Sequence, residues 1–457
     1  MLQYGESVKQ NISEAAKYFK LAADGGNTYA QLSYALLLDD GNGISQNIRE
    51  AAKYYKLADD NGEINSQVTY GLMLFDGRGI NRNKKEAAKY LKKAADNHSI
   101  IAQHKYGTML FLGQSLQRNI SLAVQYFWQV IMDEQHVDLE YIKHPYDIST
   151  LQVTQDAARL IRMAAEQNCI EGQQKYAIML LKGYIYPKDI KESMKYFKKA
   201  ADNNDSFSQF QYAYYREQNK QLKEAIKYFK LAADQNHPYA QLHYALMIDN
   251  EIQIDTNGIQ KNNLIEAAKY YKMSADQGVV QAQLYYGNML ETGDGVEKDL
   301  KEAAKYYKLA SETNVNAMVI YGKILLKGKG IEQNPKLAFE YFKKAADEGN
   351  KFGQYYCAKM FENGTGVPKN LKESAKYYKA CSYSFDMKKA QFKYANMLEK
   401  GIGVRKNIKM ATNYYRKACN NYEPYVVFKR KVFQKFINLI IIIEICYMIR
   451  LLFFTFK

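Results

Sequence analysis

A glutamine recurs at one position of a helix that the chain repeats, three residues before a tyrosine in each copy. A side-chain amide both donates and accepts hydrogen bonds, so it suits recognition of an extended peptide backbone. On this ground we predict a ladder of peptide-binding glutamines. The alternative is that the same amides brace neighbouring copies against each other. The glutamines are Gln31, Gln67, Gln103, Gln241, Gln283 and Gln391.

The histidines and cysteines are the other residues that could carry out chemistry. The six histidines contain no pair at i, i+4 spacing and no H-E-x-x-H motif, the arrangements that favour a zinc site. Cys357 replaces a helical tyrosine, Cys381 replaces an alanine, and Cys419 is similar, so all three are expected to be buried apolar residues. We therefore predict no metal, no cofactor and no catalytic residue.

Paired glycines recur between helices, as in Gly41-Asn42-Gly43-Ile44 and Gly77-Arg78-Gly79-Ile80. A phosphate-binding loop would need the pattern G-x-x-x-x-G-K-[ST] after a strand, and the chain lacks that pattern. Because the pairs recur at equivalent places, they favour a structural turn. Glycine supplies the unusual backbone angles there, and the apolar fourth residue enters the core.

The turns and the glutamines are positioned by a unit of about 36 residues that recurs along the 457-residue chain. Its marker is the middle aromatic of a phrase such as Glu50-Ala51-Ala52-Lys53-Tyr54-Tyr55-Lys56. Successive markers lie 32 to 42 residues apart, which indicates an array of repeats rather than separate globular domains. The twelve markers are Tyr18, Tyr54, Tyr90, Tyr126, Leu160, Tyr196, Tyr228, Tyr270, Tyr306, Tyr341, Tyr377 and Tyr414.

Each unit predicts a pair of helices. In the second helix, Ala15, Phe19, Ala22 and Ala23 fall on one stripe of a 3.6-residue period. Asparagine or aspartate three residues before glutamate, as at Asn47, predicts a capping box at its start. In the first helix a small residue follows the tyrosine, which predicts close approach of a neighbouring helix. The sequence thus predicts an all-α protein.

The A-Q-x-x-Y-G-x-x-L helix, the G-x-G-V/I turn and the E-A-A-K-Y-Y-K-x-A-A helix together resemble the Sel-one-like repeat (SLR) family, relatives of tetratricopeptide repeats. The resemblance covers roughly residues 1–424. It implies a right-handed α/α solenoid of about 11–12 helix-turn-helix repeats, whose first helices line a concave surface and would present the glutamine ladder there. It also implies a protein-binding scaffold or adaptor. Some members are membrane-complex adaptors in endoplasmic-reticulum protein degradation, and others serve signalling assemblies.

Several places depart from the repeat. Residues 131–155 lack a clear first helix and turn, so we predict a degenerate repeat there, and an insertion is expected at about 250–263. Residues 214–219 have lost the glycine turn. The chain opens in mid-repeat at Gly5, which predicts a truncated start, because stacked repeats normally end in a polar cap.

The last 33 residues, 425–457, form a basic and hydrophobic tail beyond the predicted solenoid of 1–424. Residues 437–456 are long enough to cross a bilayer, but Glu444 and Arg450 make insertion marginal. If the segment inserts, the basic residues on its repeat side predict repeats that face the cytosol. The alternatives are a helix that caps the last repeat and a translated noncoding sequence.

The net charge of +16 raises nucleic acid as a partner. Lysines such as Lys17, Lys53 and Lys89 recur on helices that also carry glutamate, however, and this favours solvated outer faces. No aromatic–basic RNA-binding motif occurs either. We therefore predict no nucleic-acid partner, and no small-molecule substrate is evident.

The sequence thus predicts a non-enzymatic protein–protein interaction scaffold in the cytoplasm, with the identity of the partners open. One alternative is a membrane-tethered adaptor of a ubiquitin-ligase complex in endoplasmic-reticulum-associated degradation. A further alternative is a repeat-type hydrolase, since related helical-repeat proteins have been proposed to bind small cell-wall-like ligands.

Overall fold

A computed structural model describes residues 10–133, 150–251, 260–384 and 386–419 of the chain. These residues form 22 α-helices and no strand. Their contacts divide the chain into two compact units, residues 1–235 with α1–α12 and residues 236–457 with α13–α22. Within each unit every helix packs against the next one along the chain. The predicted all-α solenoid of helix-turn-helix repeats is confirmed in both units.

The helices of the first unit are α1 (Ile12–Asp24), α2 (Thr28–Asp40), α3 (Ile48–Asp60), α4 (Ile64–Asp76), α5 (Lys84–Asp96), α6 (Ile100–Leu112), α7 (Ile120–Asp133), α8 (Thr150–Glu166), α9 (Ile170–Lys182), α10 (Ile190–Asp202), α11 (Ser206–Gln218) and α12 (Leu222–Asp234). Those of the second unit are α13 (Pro238–Glu251), α14 (Gln260–Asp276), α15 (Val280–Thr292), α16 (Leu300–Ala310), α17 (Val315–Lys327), α18 (Pro335–Asp347), α19 (Lys351–Asn363), α20 (Leu371–Cys381), α21 (Lys388–Lys400) and α22 (Ile408–Cys419). The first helices of the repeats are α2, α4, α6, α9, α11, α13, α15, α17, α19 and α21, and the others are second helices.

The predicted start signals are confirmed at the second helices. The side-chain oxygen of Asn47 accepts a hydrogen bond from the Glu50 backbone N–H at 3.1 Å, and Asn83 does the same for Glu86 at 3.0 Å. The glutamates differ from the predicted capping box, because each carboxylate accepts from the asparagine side-chain amide at 2.9 Å instead of the backbone N–H. Asparagine offers this second donor, which serine and threonine lack.

The marker tyrosines form the core of each repeat. Each one packs edge-on against the tyrosine of the first helix, with ring centroids 4.9–5.2 Å apart. This geometry contributes about 0.5–1.5 kcal/mol beyond the area that it buries. The nine pairs are Tyr34–Tyr54, Tyr70–Tyr90, Tyr106–Tyr126, Tyr176–Tyr196, Tyr212–Tyr228, Tyr244–Tyr270, Tyr286–Tyr306, Tyr321–Tyr341 and Tyr394–Tyr414.

Two cysteines occupy buried positions of this core, as predicted. Cys357 takes the place of the first-helix tyrosine opposite Tyr377, and Cys381 takes the place of an alanine. Burial raises the pKa of each thiol to about 12, so both stay protonated at neutral pH. The side chain of Cys419 lies outside the described residues.

Glycine permits two close approaches. Gly107 follows Tyr106, and a Cβ there would lie 2.8 Å from Cε1 of Phe127, which confirms the predicted close packing of neighbouring helices. Gly79 has φ +72°, and a Cβ there would lie 2.9 Å from the carbonyl oxygen of Ile48. The turn of one repeat therefore rests on the start of the preceding second helix.

The predicted irregular segments lie partly outside the described residues. In the degenerate repeat predicted at 131–155, α7 ends at Asp133, α8 begins at Thr150, and residues 134–149 are not described. In the insertion predicted at 250–263, residues 252–259 are not described and α14 begins at Gln260. The predicted truncated start at Gly5 and the tail 425–457 also fall on residues that are not described.

Candidate interaction surface

The structure places all six predicted glutamines inside the packing of the repeats. Gln31, Gln67, Gln103, Gln241, Gln283 and Gln391 are only 0–6% exposed. Each is the fourth residue of its first helix, and the tyrosine of the core lies one turn further on. Residues at i and i+3 share one face of a helix, so the glutamine faces the same interior as the tyrosine.

The glutamine amides bond to the end of the preceding second helix. The Nε2 atoms of Gln31 and Gln283 each donate a 3.3 Å hydrogen bond to the carbonyl oxygen of Ala23 and Ala275, respectively. Gln391 donates to two carbonyl oxygens, Ser382 at 3.1 Å and Ser384 at 3.0 Å. These are helix-end carbonyls that lack a partner within their own helix, so the amide acts as a cap supplied by the following helix.

The other end of the amide reaches the next repeat. Oε1 of Gln31 accepts a 3.1 Å hydrogen bond from Asn61, and Oε1 of Gln241 accepts one of 2.8 Å from Gln277. Such an amide joins successive second helices through one first helix. The burial and these bonds favour the bracing alternative, and binding of a peptide by these six glutamines stays a prediction.

Two further glutamines belong to the same set. Gln173 and Gln209 are 0% and 1% exposed, and Gln209 donates to the Ala201 carbonyl at 3.1 Å while accepting from Gln235 at 2.7 Å. Sequence reasoning missed them because glycine and serine, rather than alanine, precede them. Their spacing of three residues before a tyrosine would have found both.

The opposite side of the first helices is exposed, and an acidic residue near the helix end bonds there to a second-helix tyrosine of the same repeat. The hydroxyl of Tyr378 donates to Glu362 at 2.7 Å, and that of Tyr415 donates to Glu399 at 2.8 Å. Longer pairs of the same kind are Tyr271–Asp249 at 3.2 Å, Tyr55–Asp39 at 3.4 Å and Tyr307–Glu291 at 3.4 Å.

A cation from the next repeat completes several of these pairs. Lys393 lies 2.8 Å from Glu362, and the matching pairs Lys329–Glu291 and Arg78–Asp39 are 2.6 and 2.7 Å apart. Burial alone would raise the pKa of Glu362, but the hydrogen bonds from Lys393 and Tyr378 outweigh it and hold that pKa below its ordinary value. Each group of three is an anchor between repeats whose polar atoms stay partly open to solvent.

Where the acid is absent, the cation contacts an aromatic ring instead. Phe75 takes the acidic position in α4, and the ammonium groups of Lys84 and Lys105 lie 4.6 and 4.0 Å from its ring centroid. Burial lowers the pKa of Lys105. A cation held over a ring in this way gains about 0.5–2 kcal/mol.

Exposed aromatic side chains lie on the same side of the first helices. In the second unit they are Tyr285 on α15 and Phe392 on α21. We define Tyr285, Glu291, Glu362, Phe392 and Lys393 as the first-helix face of the second unit. Aromatic residues are enriched at protein interfaces, because they bury a large area at small entropic cost.

The described part of the chain offers no other type of site. It contains no group of three or more histidine, cysteine, aspartate or glutamate side chains that could hold a metal ion. Of the helices that the structure describes, none combines the length and the apolar character that a membrane span requires.

Comparison with known proteins gives the family. The model of the Sel1 repeat matches eleven segments, residues 1–27, 28–62, 65–99, 100–127, 170–205, 206–237, 238–279, 280–313, 315–350, 352–380 and 388–422. No curated protein sequence matches the chain.

Solved structures agree on the fold. A protective antigen of uropathogenic Escherichia coli strains that displays an SLR fold is similar, with 22% identity, a TM-score of 0.50 and coverage of 94% of this chain and 92% of that one. A Sel1 repeat protein from Oxalobacter formigenes has 19% identity, a TM-score of 0.37 and coverage of 83% and 90%. Since the matched segments span most of the sequence and carry both helices and turns, this chain belongs to the Sel1 repeat family.

Proposed function

We propose that the protein is a non-enzymatic scaffold that holds partner proteins along the exposed side of its first helices. The observation that carries this proposal is the first-helix face of the second unit. Exposed aromatic rings stand there among paired charges that are already oriented by Tyr378, Lys393 and Lys329. A surface organised before binding loses less entropy when a partner is ordered on it.

A paired substitution tests this role. Affinity capture of the full chain from its native cells, followed by quantitative mass spectrometry, compares the wild type with Tyr285→Ser/Phe392→Ser. The control is Ile265→Ser/Leu309→Ser, which removes two exposed apolar side chains from second helices of the same unit. We expect partners to be lost from the first pair and kept by the second. Equal capture by all three proteins would contradict the proposal.

The location and any membrane attachment follow from the same role. We place the scaffold in the cytoplasm, and a membrane-tethered adaptor of endoplasmic-reticulum-associated degradation stays a prediction that depends on residues 437–456, outside the described residues. Alkaline-carbonate extraction of the full chain and of a 1–424 truncation decides between these. Equal extraction of both proteins rules out the anchor, whereas retention of only the full chain in the membrane fraction supports it.

A further inference from the structure

The turn after α9 departs from the repeat at the residue that matters most for its packing. Ile185 stands where the turn after α4 has Gly79, and it has φ +62°. A β-branched residue at positive φ is a conformational outlier that costs free energy. Its side chain is 43% exposed, so burial of the isoleucine does not offset this cost.

The next residue separates two cavities. Tyr186 replaces the apolar residue that follows the second glycine, and its ring packs edge-on against Tyr176 with centroids 5.5 Å apart. A cavity of about 660 Å³ lies on each side of it. The cavity toward α8 is lined by Arg159, Arg162, Met163, Glu166 and Ile185 beside Tyr186, together with Gln155, and we call it the Tyr186 groove.

Exposed apolar side chains are concentrated at this groove. Met163 on α8 and Ile185 on the turn are both exposed and both line it. Ile190, also exposed, lines the neighbouring cavity on the other side of Tyr186. Single exposed apolar residues are ordinary, but a contiguous set around a concave aromatic is typical of an interaction site.

The charge of the groove is positive. Its one carboxylate, Glu166, accepts a 2.9 Å hydrogen bond from Arg162. Arg159 forms no salt bridge with any residue that the structure describes. Arginine is the cation most enriched at interface hot spots, since its planar guanidinium pairs with a carboxylate through two parallel hydrogen bonds.

We propose that the Tyr186 groove binds an acidic segment of a partner protein, with an apolar side chain between Met163 and Ile185 and a carboxylate against Arg159. This inference rests on the scaffold function and names the chemistry of one partner. Two observations meet in it. The turn retains an isoleucine that strains the backbone and is exposed, and the charge beside it is complementary to an acid. Strain of this kind persists at functional sites.

A phage-displayed library of random dodecapeptides, panned on the full chain, tests the groove. We expect selected peptides to combine aspartate or glutamate with a large apolar residue. Their enrichment should fall by about tenfold or more on Arg159→Glu/Arg162→Glu. The matched control is Lys53→Glu/Lys56→Glu, which reverses two exposed charges at the equivalent positions of α3 and should leave enrichment unchanged.

Ile185→Gly separates binding from folding. It restores the residue that other turns have, so the melting temperature should stay the same or rise, while enrichment of the acidic peptides should fall. Unchanged enrichment on both groove variants would overturn the inference and leave the scaffold function standing, because that function is tested on the second unit. Binding of a labelled twelve-nucleotide oligoadenylate that is lost in Arg159→Glu/Arg162→Glu, without acidic peptides, would identify a nucleic-acid site and also overturn it.

Discussion

Tyr378 and Glu362 stand on the two helices of one repeat, and the tyrosine hydroxyl donates a 2.7 Å hydrogen bond to the carboxylate. In another repeat the same two positions hold Phe127 and Phe111, whose rings pack at 6.3 Å. The chain thus matches the polarity of two positions that are 16 residues apart. Apolar residues also occupy both positions at Phe75/Leu91, Leu181/Phe197 and Leu326/Phe342, and the exception is Glu217/Phe229, in the repeat that lacks the glycine turn.

Removal of the Tyr378 hydroxyl is expected to destabilise the second unit. Tyr378→Phe keeps the ring in the core but leaves Glu362 without one donor, so the free energy of unfolding should fall by about 1 kcal/mol. Thermal melting of the full chain measures the effect. Tyr29→Phe, which changes an exposed tyrosine, serves as the control and should leave the melting temperature unaltered. Equal shifts in the two variants would argue against the hydrogen bond.

The anchor at Glu362 should stabilise the protein in a pH-dependent way. Its pKa is lower in the folded chain than the ordinary value of 4.5, so its contribution is fully present above pH 4.5 and is lost as pH falls through the folded-state pKa. Glu362→Gln should therefore melt below the wild type at pH 7, and the difference should shrink toward pH 3. Glu312→Gln is the exposed control. A difference that is constant from pH 7 to pH 3 would refute this interpretation.

Gln283 and Gln281 lie on one helix and separate bracing from peptide binding. Gln283→Leu removes the 3.3 Å bond to the Ala275 carbonyl and should cost about 1 kcal/mol, with capture of partners unchanged. Gln281 is exposed, so Gln281→Leu should have little effect on the melting temperature. The opposite result, partners lost from Gln283→Leu at an unchanged melting temperature, would support the peptide ladder instead.

Gly79 and Gly62 separate backbone strain from crowding. Both have positive φ, +72° and +89°, but a Cβ at Gly79 would meet Ile48 whereas nothing lies within 4 Å at Gly62. Both alanine substitutions should cost the ~1–2 kcal/mol of a left-handed backbone. Gly79→Ala should cost at least about 1 kcal/mol more, measured by thermal melting, because the turn must move off α3. Equal losses would mean that the turn has room to shift.

The sequence by itself determined the local architecture of this protein. Helical periodicity, the asparagine caps and the paired glycines are written within a few residues of one another, and their physical effects act over the same short distance. Repetition then multiplied each signal, so that the pairing of helices and the burial of the marker tyrosines and of Cys357 could be predicted without coordinates.

Only the tertiary structure decided what covers each face. Gln31 and Tyr34 share a helical face by spacing, but the carbonyl of Ala23 and the amide of Asn61 that enclose the glutamine come from the neighbouring helices. In the same way, Glu362 meets Tyr378 and Lys393 from 16 and 31 residues away. Hydrogen bonds and desolvation depend on distances of a few ångströms, and those distances between repeats exist only once the helices are stacked.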